Sequence, residues 1–270
     1  MDNTAETPRT QSKKTRIRIG IVLSAGGLRG VAHLGVLRQL LRHGIPLDVM
    51  VGVSAGAIIA AFYAGVGLSV EELIHETRTF RGRHVILHGL SLRAPKPLNS
   101  LLARFCGVIP ERLRQLDHIQ FDRLHHGVQA LGVVCHDLIT NQPLYFCTDS
   151  EHNVTLAEAV KASATIPGVI PSRLVQRGGQ VFRLADGGIA DSLPIDFARC
   201  SALSATHLIV SDCRSETSSV ASSDRMVYIR PRLKGVRVLR SRRAALIQAV
   251  ADGEAAVTAD ILTQIRQWLM

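Results

Sequence analysis

The 270-residue chain reads as one α/β domain, a three-layer α/β/α sandwich with a mainly parallel central sheet. Three observations predict this. Short apolar runs alternate with segments of helical periodicity, the pattern of repeated strand–helix units. Several of those runs are almost continuously apolar, as in strands buried on both faces. Glycines follow the first two runs directly, and in such folds the functional groups collect at the carboxyl ends of the strands.

The elements follow in order. Arg16 to Ser24 is a strand running into Gly26, Gly27 and Gly30. A helix continues through Val31, Leu34, Leu37 and Leu41 and stops at Gly44, with Pro46 just beyond. Leu47 to Val51 is a second strand, and Ser54 to Ala64 an apolar helix closed by Gly65. Ser69 with Glu72, and Thr155 with Glu158, have capping-box spacing for two further helices. The basic stretch 80–126, dotted with Gly and Pro, is expected to hold two short helices as a cap-like insertion. Val128–Cys135, Leu144–Cys147, Val181–Leu184, His207–Ser211 and Met226–Ile229 are strands, and Arg243 to Leu269 is helical. Residues 1–15 lack the apolar run of a signal peptide and are expected to be a disordered basic tail before a single domain at 16–270.

Composition narrows the classes. Hydrophobic residues make up 46%, enough for a large core, while aromatics at 4% are too few for broad base- or sugar-stacking surfaces. Five scattered cysteines without close pairing fit free thiols in a reducing, cytoplasmic setting. The net charge of +10 draws the surface to anionic material. Peripheral contact with an anionic membrane is compatible with it, and so is a plainly solvated surface. No nucleic-acid motif accompanies the charge, so no nucleic-acid partner is expected. No metal-ligand or cofactor motif stands out, and none is expected. The uncharged run from Val49 to Val70 has the hydropathy of a membrane span, but its glycines fit a strand, a turn and a buried helix.

Gly52-Val53-Ser54-Ala55-Gly56 is a G-x-S-x-G motif between an apolar strand and an apolar helix. A sharp strand-to-helix turn leaves no room beside the serine except for glycine, and lifts the hydroxyl above the sheet edge. The same pattern also arises from packing alone. The loop Ala25-Gly26-Gly27-Leu28-Arg29-Gly30 bares backbone N–H groups that can hold a phosphate or an oxyanion. Ala25 stands at the first glycine of a dinucleotide fingerprint, and no Gly-Lys-Ser/Thr follows to make a P-loop. The only histidine after Asp186 is His207, inside an apolar strand pattern, which makes a Ser-His-Asp triad a poor fit. Asp186-Gly187-Gly188 offers a carboxylate at a strand end, with a plain turn as the alternative. An aspartate with an ordinary pKa of roughly 4 becomes a useful base on partial burial.

Taken in order, the glycine loop, the serine elbow and the Asp-Gly-Gly turn resemble the patatin-like phospholipase family. Ser24–Leu37, Val51–Gly65, Ala162–Pro171 and Asp186–Pro194 look like successive family blocks. The resemblance implies the patatin fold and hydrolysis of acyl esters of glycerolipids or lysophospholipids. It also implies Ser54 as nucleophile, Asp186 as base, and the backbone of Gly26, Gly27, Arg29 and Gly30 as the oxyanion hole. Ala25 replaces the usual first glycine of the loop, and Asn141 a glycine after Asp137-Leu138. The Arg29 side chain either steers a lipid head group or packs within the fold, and His33 is expected to face inward. An acyltransferase with the same dyad and a non-catalytic lipid-binding protein are the alternatives.

Overall fold

The computed structural model describes residues 16–149, 154–177, 179–215 and 220–270, so the expected tail at 1–15 lies outside the described residues. The first half runs β1 (Ile19–Leu23), α1 (Ala32–Arg42), β2 (Val49–Val53), α2 (Ala55–Ala60), α3 (Val70–Thr77), α4 (Gly82–Arg93), α5 (Leu98–Ala103) and α6 (Ile109–Gln115). The second half runs β3 (Ala130–Asp137), β4 (Gln142–Cys147), α7 (Leu156–Ser163), β5 (Arg173–Arg177), β6 (Gln180–Asp186), α8 (Ile195–Arg199), β7 (His207–Ser211), β8 (Met226–Ile229), α9 (Arg243–Ala255) and α10 (Ala259–Leu269).

Alternate residues of the central strands enter two separate cores. Ile19, Ile21 and Leu23 of β1 face one, and Val22 faces the other. In β2, Met50 joins the first core and Val49, Val51 and Val53 the second. This two-sided burial explains why these strands read as continuous apolar runs. The first core is closed by α1, α2, α7 and α10, through residues such as Leu37, Ile59, Leu156 and Ile265. The second is thinner, closed by Phe197 and Ala198 of α8 and by Leu203 and Ala205. Helix α9 crosses α1 where Gly35 meets the Val250 carbonyl and Gly253 the Ala32 carbonyl, leaving no space for side chains.

The sheet order is β5-β6-β3-β2-β1-β7-β8, with β4 also on β3. Neighbours from β3 through β8 are parallel, while β4, β5 and β6 pair antiparallel. One detail of register positions the site. Strand β4 occupies one edge of β3 over Gly132–Asp137. The other edge is shared end to end: β2 pairs with Ala130–Val134, and β6 with Cys135–Asp137. The carboxyl ends of β2 and β6 therefore meet head-on.

Several boundaries differ from the sequence reading. The stretch 80–126 holds three α-helices and a short 3-10 turn, where two helices were expected. The helix after Ser54 widens into a π turn at Ala61–Val66 and ends on Gly67 with φ 86°, not on Gly65. Arg173–Arg177 adds an unforeseen strand, and the C-terminal helix is two helices separated at the Thr258 N-cap. Among the described residues no helix is long and apolar enough to cross a membrane.

Candidate active site

Ser54 follows the last residue of β2 and precedes α2, with φ 53° and ψ −118°. A non-glycine residue in that region stores about 1–3 kcal/mol of strain and persists only where its surroundings fix it. Here the fixing contacts are visible. A Cβ on Gly56 would lie 2.2 Å from the Leu23 carbonyl oxygen, so α2 sits directly on β1. The Ser54 N–H donates to Ser163 Oγ at 2.9 Å, and Ser163, at the end of α7, is fully buried.

Because β2 and β6 abut on β3, Val53 stands opposite Val134 and Asp186 opposite the next residue, Cys135. The Ser54 hydroxyl donates to Asp186 Oδ2 at 2.6 Å, in the range of a charge-assisted O–H···O bond. Gly188 N–H donates to Asp186 Oδ1 at 2.9 Å, and Asp186 N–H to the Thr165 carbonyl at 3.1 Å. Gly187 passes the Val134 carbonyl too closely for any side chain. Burial pushes the Asp186 carboxyl above the ordinary carboxylate range, against the opposing pull of the bonds from Ser54 and Gly188. The end of α7 and the turn that follows it thus hold both groups, Ser54 through Ser163 and Asp186 through Thr165. Ser163 and Thr165 both lie in the Ala162–Pro171 block of the family resemblance, but neither carries a chemical motif of its own in the sequence.

The glycine loop lies beside the elbow, with a Cβ on Gly30 falling 2.7 Å from Ala55 Cβ. Gly27 adopts φ 54° against Val238. Among the described residues, the Gly26 and Gly27 amides donate to no acceptor. Leu28 N–H donates to the Val238 carbonyl, and Arg29 N–H to the Gly26 carbonyl within a 3-10 turn at Gly27–Val31. Of the expected donors, the Arg29 amide is engaged within this turn. The Arg29 side chain packs rather than steers. Its guanidinium donates to the carbonyls of Cys213 (2.8 Å), Arg214 (3.0 Å) and Val236 (3.2 Å). Ala25, in place of glycine, donates its N–H to the Ser192 carbonyl and fills the space beside Gly188 with its methyl.

Beneath the loop, His33 is fully buried, and desolvation pulls its imidazole down to about 4 despite the bond to Ser24, so it is neutral at pH 7. Its Nε2 lies 3.1 Å from the Ser24 carbonyl, which can only accept, so Nε2 carries the proton and Nδ1 accepts from Ser211 Oγ at 2.8 Å. Buried Asp212, missed in the sequence, follows Ser211 at the end of β7. It accepts from Arg214 and from the Tyr228 hydroxyl at 2.6 Å, and these bonds outweigh burial and hold its carboxyl below the usual range. His207 begins β7 and packs on Trp268, at the opposite end of that strand.

Above Ser54 opens a cavity of about 270 Å³, close to the lower end of the ~300–1,000 Å³ typical of ligand sites. Gly27, Gly30 and Ser54 line it, with Ile58, Ile59 and Phe62 from the helix after the elbow and Val85, Leu92 and Leu113 from α4 and α6. Of its charged lining, Arg112 pairs with Glu76 and Lys161 with Asp117. Among the described residues no group of three His, Cys, Asp or Glu side chains is placed to hold a metal ion.

Fold and geometry define a class: a three-layer α/β/α protein in which a strained serine elbow meets a buried carboxylate under an apolar cavity. The model of the patatin-like phospholipase family matches residues 21–199, and the chain belongs to that family. An uncharacterized NTE family protein of Mycobacterium tuberculosis is 31% identical over 178 residues, which are 65% of this chain and 27% of that protein. Lysophospholipase NTE1 of Mycosarcoma maydis is 29% identical over 187 residues, 66% of this chain and 9% of that one. The chain thus spans well under a third of the length of these relatives. VipD of Legionella pneumophila shares the fold, with a TM-score of 0.54 at 15% identity, covering 94% of this chain and 67% of VipD.

Proposed function

We propose that the protein is a serine lipid-acyl hydrolase of phospholipase or lysophospholipase type, with Ser54 as nucleophile and Asp186 as its base. The observation that carries this reading is the 2.6 Å contact between Ser54 Oγ and Asp186 Oδ2 at the floor of an apolar cavity. Asp186 takes the hydroxyl proton as Ser54 Oγ attacks the ester carbonyl. The amides of Gly26 and Gly27 hold the oxyanion, and the leaving alcohol departs with the proton from Asp186. Water then attacks the acyl-enzyme, giving its proton to Asp186, and the fatty acid leaves as Ser54 regains its own. The cavity takes the acyl chain, and the segment 80–126 caps it over one catalytic domain. Family membership and a relative named as a lysophospholipase support the choice of substrate.

The test is Ser54→Ala, with the fold checked by circular dichroism. Hydrolysis of a short-chain nitrophenyl ester and labelling by a fluorophosphonate should both vanish; turnover at the wild-type rate would end the assignment. Incubation with a mixed lipid extract, followed by identification of the released products, names the head group and acyl position.

A further inference from the structure

Helix α4 crosses above Ser54. Gly82 packs against the Leu239 carbonyl beside Leu28, Gly89 packs against the Val169 carbonyl, and Arg93 donates to the Gly168 carbonyl at 2.8 Å. Its inner face lines the cavity with Val85, His88 and Leu92. Its outer face, at helical spacing, is Arg83, Ile86 and Leu90, all exposed. A helix apolar on both faces is not built to end in water. The neighbouring α5 repeats the pattern. Leu98, Leu101 and the following Phe105, spaced i, i+3, i+7, are 46%, 51% and 60% exposed. Single exposed leucines need no explanation, but this many large apolar side chains within 20 residues make a continuous surface. Leu92, half exposed and also lining the cavity, joins that surface to the site.

The charge on this segment selects the partner. From Thr77 to Pro110 there is no Asp or Glu, while Arg78, Arg81, Arg83, Arg93, Lys96 and Arg104 are present. A second copy docking through the same patch would place these like charges against each other. Anionic head groups satisfy the cations, and the acyl region beneath them satisfies the leucines and the phenylalanine. The geometry points to the outer face of α4 and α5 as a docking surface for an anionic lipid bilayer, which sets the cavity mouth against the membrane. This inference rests on the lipid-hydrolase reading for its purpose, but not for its measurement.

The experiment is co-sedimentation of the full chain with vesicles of phosphatidylcholine, with and without phosphatidylglycerol. Adding phosphatidylglycerol should raise binding at least about tenfold, and high salt should reverse the gain. The double variant Leu101→Glu/Phe105→Glu, whose side chains do not line the cavity, should lose at least about tenfold in vesicle binding. Its hydrolysis of a water-soluble short-chain ester should be unchanged. Ser54→Ala should bind vesicles as wild type does while losing turnover, so wild-type turnover by that variant with binding retained would sink the enzymatic reading alone. Wild-type vesicle binding by the double variant would overturn the docking surface. So would indifference to phosphatidylglycerol, or a concentration-dependent dimer abolished by the same substitutions.

Discussion

Asp186→Asn separates the chemistry of the dyad from its cost to the fold. Asp186 is 7% exposed, and no cation pairs with it among the described residues. Its ionised form depends on two donors, Ser54 Oγ–H at 2.6 Å and Gly188 N–H at 2.9 Å. Each such bond to a charged acceptor contributes about 1.5–3 kcal/mol, against a desolvation cost of several kcal/mol for a buried ion. The sum leaves the carboxylate slightly unfavourable at neutral pH, in agreement with its upward displacement. Asparagine keeps the shape, accepts from Gly188 and can donate to Ser54 Oγ. The variant should therefore be as stable as wild type or more so, by up to about 2 kcal/mol. For a domain near this size that is a rise in Tm of roughly 2–4 °C per kcal/mol. Activity moves the other way, since loss of the base should lower kcat/KM on a nitrophenyl ester by about 10²–10⁴. The sign with pH follows from the raised folded-state value. The stability linked to protonated Asp186 is present below the unfolded pKa and lost as pH rises through the folded one. The advantage of the asparagine variant should thus open from about pH 4 upward and close in acid. The acid limb of the wild-type rate profile should lie above the same ordinary value. A variant that turns over normally, or melts well below wild type at pH 7, would refute this account.

Three further outcomes follow from the supporting contacts. Ser163→Ala strips the Ser54 N–H of its acceptor, with an expected cost of about 1–3 kcal/mol. Relaxation of the elbow should lower kcat and the rate of fluorophosphonate labelling with KM unchanged, which steady-state kinetics would check. Gly30→Ala places a methyl 2.7 Å from Ala55 Cβ, and about 1–3 kcal/mol of overpacking should appear in urea unfolding. The parting of glycine loop and elbow should cost about 10²–10³ in kcat, as loss of an oxyanion donor does. Asp212→Asn breaks a buried pair with Arg214 and should destabilise by about 3–5 kcal/mol. Because the Asp212 value is depressed, its contribution is present above the unfolded pKa and lost as pH falls through the folded one. The deficit should therefore shrink in acid in a series of melting curves.

What could be read from the sequence was local. The glycine loop and the serine elbow each join one strand to one helix, and steric crowding at such a junction dictates glycine at fixed offsets, whatever the rest of the chain does. The meeting of Ser54 with Asp186 is of another kind. It depends on β4 occupying one edge of β3, so that β2 and β6 are forced to share the other, a constraint that no window of sequence contains. The Asp-Gly-Gly turn was legible only as a carboxylate at a strand end, and the resemblance to a family supplied its partner. Strand β5, Arg-Leu-Val-Gln-Arg, went unread because an edge strand needs no apolar face to pair with β6. The helix after Ser54 was misplaced at its end for the opposite reason: a segment apolar on every side has no period to mark where it stops. Arg29 shows the limit most clearly. Its charge suggested a ligand as readily as a structural role, yet all three of its bonds go to carbonyls that follow β7. A cation at a glycine loop is read correctly only once the chain returning past it is known. Here that returning chain fixes the loop to the sheet, and among the described residues the Gly26 and Gly27 amides have no partner.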